Sequence, residues 1–180
     1  DQEGNAFTSV IIGSQEWMSE NLSVASYSDG SPIPQVTDPN SIATDPNLWG
    51  NLTTGAWCWY NNDSATYAAI YGRLYNWYAV AGIYDEASAN NPALRKKLAP
   101  TGWHVPTYAE WSSIINFLDA SADESNNVNV AGGMMKTTGY ISTGTGFWDE
   151  PNTGATNSSG FSGVPGGYRF FNGGFFFNGS

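Results

Sequence analysis

One short segment holds the residue types that could perform acid–base chemistry. "LAPTGWHVPTYAEW", residues 98–111, contains the only histidine of the chain, His104, together with Glu110. A segment of this composition is either a catalytic segment built around His104 or the folding signature of a helix. The choice between these two interpretations largely decides whether the sequence predicts an enzyme.

The spacing around Glu110 favours the helix. Thr107 and Glu110 form Thr-x-x-Glu, a capping box in which each side chain binds the other residue's backbone amide. Pro106 cannot extend a helix backwards and sets a sharp start. The apolar residues that follow recur with the period of one helix face: Trp111, Ile114, Ile115 and Leu118. Glu110 is thus explained by capping, without chemistry.

Two further side chains with reactive groups have structural interpretations. His104 precedes the helix and has no companion His or Cys, so it is a poor metal ligand and is predicted to be structural or solvent-facing. Cys58 is the only cysteine, which excludes an intrachain disulfide and a thiol metal cluster. Because no basic residue lies within ten positions of it to lower its pKa, Cys58 is predicted to be a small buried hydrophobe.

Calcium is the one cofactor for which the sequence offers ligands. Oxygen-bearing side chains cluster at residues 61–64, at Asp-Pro-Asn 38–40 and 45–47, and at the acidic pairs 85–86, 123–124 and 149–150. None of these segments matches an EF-hand loop. Asp-Pro-Asn is also ordinary turn chemistry. Bound calcium and plain turns both stay open, and we expect no other cofactor.

Composition excludes several classes of protein. The chain has 180 residues, of which 41% are hydrophobic and 15% aromatic, ample for a folded core. Charged residues make up only 12%, with a formal net charge of −10 that would repel a phosphate backbone. We therefore expect no nucleic-acid partner, and no apolar run approaches the length of a membrane span. A surface rich in Asn, Ser, Thr and Gly is common in secreted and surface-exposed bacterial proteins.

The elements that must position these residues are short. The patterns predict a strand at 5–12, a turn at Gly13, an extended segment at 15–27, loops at 28–55, an aromatic strand at 55–63, a helix at 65–81 ended by Gly82, a polar connection at 83–97, the capped helix after Thr107, and loops with short strands from 121 onward. The helix at 65–81 rests on one apolar face: Tyr67, Ile70, Tyr71, Leu74, Trp77 and Tyr78. The patterns thus predict two main helices among short strands and loops.

The C-terminal segment carries the strongest signal for function. In "GGYRFFNGGFFFNGS", residues 166–180, Asn172-Gly173 predicts a hairpin turn between two runs of Phe. Strand alternation would place some Phe side chains on each face. Two interpretations remain: a strand pair with a core on both sides, or a contact surface. The candidate contact residues are Tyr168, Arg169, Phe170, Phe171, Asn172, Phe175, Phe176 and Phe177.

Several motifs together resemble one known family. The chain is similar to the Fibrobacter succinogenes major paralogous domain family in its opening residues 1–22 and in segments spread in order along nearly the whole chain: "WMSENL", "CWYNND", "YGRLYNWYAV", "LAPTGWHVPTYAEW" and "GFSGVPGGYR". "GWHVPTYAEW" is also similar to a motif of the formylglycine-generating-enzyme superfamily. That likeness implies an α+β fold of the C-type-lectin-like kind, with two main helices packed on small irregular antiparallel sheets. The oxidase branch of that superfamily needs late cysteines, which this chain does not have after Cys58.

The resemblance implies one domain over residues 1–180 and an extracellular or cell-surface location. Members of the family occur mainly in secreted or surface proteins of Bacteroidota, often as lipoproteins, and some are variable proteins whose C-terminal segment is diversified to change ligand specificity. Compared with the family pattern, this domain is expected to be shortened at its C-terminus. A shortened sheet leaves an open strand edge, which is a template for pairing with another chain.

Two non-catalytic functions compete at this point. In the first, the protein is a structural subunit that self-assembles through its Phe-rich end into a homo-oligomer, filament or array. In the second, it is a ligand-binding or adhesion module for an extracellular protein or glycan, with the same hairpin as its surface. An enzyme ranks third.

Overall fold

The computed structural model describes residues 1–37, 49–122 and 130–180. The helices are α1 (Ser64–Tyr71), α2 (Trp77–Val80), α3 (Glu86–Asn90), α4 (Tyr108–Leu118) and α5 (Ala131–Met135). The strands are β1 (Ser9–Ile12), β2 (Gln15–Met18), β3 (Trp57–Cys58), β4 (Leu74–Tyr75), β5 (Gly166–Arg169) and β6 (Phe175–Asn178). Single 3-10 turns lie at Trp49–Asn51, Tyr60–Asn62 and Pro92–Leu94.

The chain forms two compact units, each made of discontinuous segments. Unit 1 comprises Asp1–Ala6, Asn21–Val105 and Gly166–Asn178, and unit 2 comprises Phe7–Glu20, Pro106–Pro165 and Gly179–Ser180. In the described residues, sheets are antiparallel pairs only: β1 with β2 in unit 2, and β3 with β4 and β5 with β6 in unit 1. The predicted α+β class with small antiparallel sheets is confirmed at this level. The C-type-lectin-like fold stays a prediction.

Two apolar clusters form the interior of unit 1. One packs Trp57 of β3 with residues from the N-terminal part of the unit, from α2 and from the segment that precedes α4: Val24, Tyr27, Ile33, Ala79 and Leu98. The other contains Trp49, Ala56 and the fully buried Cys58, covered by partly buried residues that include Leu74 and Phe175. Neighbouring positions of β3 thus belong to different clusters, as strand alternation requires. Cys58 is a buried small hydrophobe, as the sequence predicted.

The single helix predicted over 65–81 is wrong in its middle. The chain leaves the helix at Gly72, which has φ +64° and ψ −151°. A Cβ atom at Gly72 would lie 2.8 Å from the Leu22 carbonyl oxygen, so the close passage of that backbone requires glycine. After this break Leu74 and Tyr75 pair with β3 before α2 begins. The predicted apolar face is therefore shared between two helices and a strand.

The connection at 83–97 is also more regular than predicted, since it contains α3. Asp85 accepts a hydrogen bond from the Ser88 amide, and the Ser88 hydroxyl accepts one from the Asp85 amide, which completes a second capping box. The next turn begins at Asn91, whose side chain accepts from the Ala93 amide. Local capping thus builds helical structure from a polar stretch that has no helical hydrophobic period.

Unit 2 is organised around the capped helix and the first hairpin. The Thr107 amide donates to the Glu110 carboxylate at 2.7 Å and the Glu110 amide donates to the Thr107 hydroxyl at 3.3 Å, which confirms the predicted capping box. Trp17 of β2 packs on Trp111 and Phe161, with ring centroids 4.7 Å and 6.0 Å apart. This cluster also contains Ile12, Ile114, Met135 and partly buried Val10 and Leu118.

Like α3, helix α5 was not predicted from the sequence. α5 carries "AGGMM", whose two glycines are unfavourable in a helix. Gly133 lies against Gly154, where a Cβ atom would stand 2.2 Å from the carbonyl oxygen, so close backbone packing occupies this position. No helix of the described residues is long and apolar enough to cross a membrane.

Candidate binding surface

The predicted hairpin at Asn172-Gly173 is present, with a wider loop than a two-residue turn. Strands β5 and β6 are joined by residues 170–174, and the Phe170 amide donates to the Gly174 carbonyl at 2.8 Å. Inside the loop the Gly173 amide donates to the Phe170 carbonyl, and the Asn172 side chain accepts from the Gly174 amide at 3.0 Å. Asn172 therefore serves the turn, and Phe170 and Phe171 lie in the loop.

The inner face of the hairpin is anchored to unit 1 by Arg169 and Phe175, which are register partners. The Phe175 ring packs 5.3 Å from the Tyr60 ring and covers the cluster that contains Cys58. The Arg169 guanidinium lies 4.9 Å from the Trp49 ring centroid and 5.1 Å from that of Phe175. Both residues were predicted to contribute to the contact surface, and both instead face the interior of the unit.

Arg169 in particular is buried, with 7% of its surface exposed. It donates to the Val36 carbonyl at 2.8 Å and to the Gly173 carbonyl at 3.2 Å, so its hydrogen-bonding groups are used within the unit. A planar guanidinium suits such a site because it stacks on rings while donating in its plane. The prediction that Arg169 lies on an outer contact surface is wrong. The Arg169 side chain instead lies on the inner face of the hairpin and anchors it to unit 1.

Arg169 also reaches Cys58, a proximity that sequence distance did not indicate. Burial raises the pKa of the Cys58 thiol to about 11, and the nearby Arg169 charge opposes this rise only in part. A thiol of this kind is largely protonated at neutral pH and is a poor nucleophile.

His104 lies outside α4 and is exposed, as predicted.

The outer face of the hairpin carries an aromatic patch, defined as Tyr168, Phe170, Phe171, Phe176 and Phe177. Between 40% and 66% of each of these residues is exposed. Tyr168 is central: its ring centroid lies 6.2 Å from Phe170, 6.0 Å from Phe176 and 5.8 Å from Phe177. Phe170 joins the patch to Phe171 at 4.4 Å. These spacings fall in the range of favourable aromatic pairs, so the rings support one another.

The predicted alternation of Phe side chains holds for only part of β6. Phe175 faces inward and Phe176 outward, but Phe177 also contacts Tyr168 on the outer face. The cause is the backbone of Phe177, whose φ of +58° is left-handed and interrupts the pleat. Phe176 and Phe177 consequently share one face although they are consecutive.

The patch is uncharged. Residues 170–178, "FFNGGFFFN", contain no acidic or basic side chain, although the whole chain carries a net charge of −10. The nearest cation on β5, Arg169, is buried on the inner face. Apolar rings in a segment without charged side chains are typical of the centre of a protein contact, where charged residues are depleted.

The segments considered for calcium are occupied by local hydrogen bonds where the structure describes them. Asp63 accepts from the Thr66 amide and caps α1, Asp85 caps α3, and Glu150 accepts from the Ser142 hydroxyl. The segments 38–40, 45–47 and 123–124 lie outside the described residues. Within the described part of the chain, no group of three or more His, Cys, Asp or Glu side chains is arranged to hold a metal ion.

Comparison with known proteins identifies a family. The Fibrobacter succinogenes major domain matches residues 10–180, a continuous stretch that includes the capped helix, the β5–β6 hairpin and the aromatic patch. Neither the search of curated proteins nor the search of solved structures gave a match. On the extent of the family match, the chain belongs to the Fibrobacter succinogenes major domain family.

Proposed function

We propose that this protein is a secreted or cell-surface protein that acts by self-association through the aromatic patch and not by catalysis. The observation that carries the proposal is the division of the hairpin into an anchored inner face and an exposed outer face of five rings. Exposed apolar patches on soluble proteins usually mark interaction sites. Aromatic residues are enriched among those that dominate interface affinity.

The size of the patch fits the centre of an interface. At about 200 Å² per aromatic residue, the exposed fractions leave roughly 500 Å² of the patch uncovered. The largest apolar patch of a typical monomer measures about 300–600 Å² and is often functional. A standard interface covers about 800 Å² per partner, so the patch would be its core. We expect weak, concentration-dependent association.

A second copy of the chain is the partner that the patch fits best. Two copies carry −10 each and repel one another at long range, so a self-contact is most favourable where the surface is uncharged. In a two-fold contact the same patch meets itself and must be self-complementary. Tilted and edge-on rings satisfy this requirement because each patch offers both ring faces and ring edges.

Non-catalytic action is supported by the state of the candidate reactive groups. The Cys58 thiol is buried with a raised pKa, and the carboxylates that the structure describes at residues 63 and 85 are used in helix caps. Glu110 likewise belongs to the cap of α4. These side chains have structural partners that account for them without a reaction.

Sedimentation velocity over a range of concentrations tests the proposal. The native chain should associate, and Phe171→Ser or Phe176→Ser should each weaken association about tenfold or more while circular dichroism stays native. Trp77→Ser is the matched control, because Trp77 is an aromatic residue of unit 1 that is 64% exposed and is not part of the patch. Electron microscopy then separates a closed dimer from a filament or array.

A monomeric native chain at every concentration would overturn self-association. If Phe171→Ser and Phe176→Ser then abolish binding to an extracellular protein or glycan, the patch serves the alternative function of a ligand-binding or adhesion module. If both variants behave like Trp77→Ser in every assay, the patch has no binding role.

A further inference from the structure

Phe177 has a backbone conformation that its residue type disfavours. Its φ of +58° lies in the left-handed region, where a side chain of this size is a genuine outlier. The other non-glycine residues with positive φ in the described chain are residues with short polar side chains: Asn61, Asn62, Asn157 and Ser162. Asn tolerates this region because its side chain forms local hydrogen bonds, and Phe has no such compensation.

The opposite position of the hairpin is glycine, which sharpens the contrast. Gly167, with φ +65°, lies between Gly166, which pairs with Asn178, and Tyr168, which pairs with Phe176. A Cβ atom on Gly167 would lie 2.6 Å from the Phe176 carbonyl oxygen and 2.7 Å from the Tyr60 ring, so glycine there is required by contacts within the unit. Phe177 is 62% exposed, so packing inside its own unit does not explain a large ring at this position.

The conformation has one geometric result, which is to add a ring to the outer face. An extended residue at 177 would point away from the face that carries Phe176. With φ positive, the Phe177 ring instead lies 5.8 Å from Tyr168, beside Phe176 at 6.0 Å from the same ring. The left-handed turn thereby gathers two consecutive rings around Tyr168.

We infer that Phe177 is a positioning and affinity residue of the patch, retained at a cost to the stability of the monomer because its left-handed backbone places an additional ring on the self-association surface. This inference rests on the proposed function. Sparsely populated backbone conformations persist where the surrounding structure holds them, and they concentrate at binding and switch sites. The ring at 177 is thus selected for the contact and not for the fold.

Paired substitutions at two adjacent positions test the backbone. At Phe177, Gly should give a folding equilibrium constant about fivefold higher than Ala, because only Gly adopts positive φ without a steric cost. At Phe176, whose φ is not positive, the order should reverse, with Ala above Gly by roughly two- to fivefold. Phe177→Asn should resemble Phe177→Gly and replaces it if the glycine variant folds poorly.

Association of the same variants tests the role of the ring. Phe177→Gly and Phe177→Ala should both weaken self-association about tenfold, although one is more stable than the other. Phe177→Tyr keeps the ring and should keep association near the native level. Sedimentation velocity measures association, and urea unfolding at concentrations where the native chain is monomeric measures stability.

The outcomes separate this inference from the proposed function. If Ala equals or exceeds both Gly and Asn in stability at 177, the backbone is not left-handed and the inference is wrong. If the order is as expected but association is unchanged, the conformation does not serve the contact and the inference is again wrong, while losses at Phe171 and Phe176 keep the proposed function. A native chain that never associates overturns both.

Discussion

The two longest hairpins of the molecule have strands of equal length but treat their outer faces differently. In β1–β2 the inner face carries Ile12 and Trp17, and the outer face pairs polar and apolar residues, with the Ser9 hydroxyl donating to Glu16 at 2.6 Å. In β5–β6 the outer face is the aromatic patch. The outer face of β1–β2 thus carries a charged group and a hydroxyl, whereas the outer face of β5–β6 carries aromatic rings that are exposed to water.

Their backbones differ in the same sense. β1 and β2 pair without interruption from Ser9↔Met18 to Ile12↔Gln15, and burial alternates along both strands. In β5–β6 the alternation fails at Phe177, because its backbone has a positive φ. The Phe177 ring therefore joins the same face as Tyr168. On the proposed function, the departure from the pleat at Phe177 accompanies the role of β6 in association, which β1 and β2 are not proposed to share.

The largest expected effect tests whether inner and outer rings differ in energy. Trp17→Ala should destabilise the protein by about 3–5 kcal/mol, because it removes a buried ring packed on Trp111 and Phe161. Phe176→Ser should cost about 1 kcal/mol or less in monomer stability, since its ring is largely supported by other exposed rings. Urea unfolding measures both. A cost at Phe176 close to that at Trp17 would make the patch part of the core.

The second prediction concerns the inner face of β5–β6. Arg169→Met should lower the free energy of unfolding by about 1–3 kcal/mol, because the Val36 and Gly173 carbonyls lose their donors in a buried site. Arg95→Met is the control: Arg95 is half-buried and its contacts to the Ser88 and Ala89 carbonyls are long, at 3.3 Å and 3.5 Å. We expect a change within about 0.5 kcal/mol there. Equal effects would remove Arg169 from its anchoring role.

The third prediction tests the helix that supports the first hairpin. Thr107→Ala should destabilise the protein by about 0.5–2 kcal/mol through loss of the cap, and should leave association unchanged in the folded fraction. Ser113→Ala, at an exposed interior position of the same helix, should be neutral or slightly stabilising because Ala favours helix. Thermal and urea unfolding that show no loss for Thr107→Ala would refute the capping assignment.

The smallest expected effect is a loss of folding stability at acid pH. Hydrogen bonds from Thr66 lower the pKa of Asp63, and hydrogen bonds from Ser88 lower the pKa of Asp85, in both cases below the ordinary value of 3.8. Because the folded pKa is the lower one, stabilisation is present above pH 3.8 and is lost as the pH falls through the folded pKa. The double substitution Asp63→Asn and Asp85→Asn keeps cap acceptors and should flatten this acid slope. An unchanged slope would show that other carboxylates dominate.

Local signals in the sequence predicted the elements that depend on local chemistry. Thr107 and Glu110 are three residues apart, and Asn172-Gly173 sets its own turn, so neither needs distant partners. The cap formed by Asp85 and Ser88 was not predicted, because Asp-x-x-Ser departs from the usual capping-box pattern and the segment lacks an apolar period. The features that the sequence did not predict depend on contacts with residues that are distant in the sequence.

Gly72 and Phe177 show that dependence. The helix over 65–81 breaks because the Leu22 carbonyl passes Gly72, some fifty residues away in sequence. Arg169 was predicted to belong to the contact surface together with the rest of the hairpin, but Trp49 and Val36 create a buried site for it. No sequence rule places Phe at positive φ, so the single face shared by Phe176 and Phe177 could not be predicted.

The buried thiol near the β5–β6 hairpin makes local opening of unit 1 measurable. Cys58 is the only thiol of the chain, it is fully buried, and the Phe175 and Arg169 side chains lie over it. A thiol-specific reagent can modify it only while the cover is open, so the labelling rate of native protein reports how often this part of unit 1 opens, by detachment of the hairpin or by a larger unfolding. If association holds the hairpin in place, the labelling rate of Cys58 should fall as protein concentration rises. The rate would then report association.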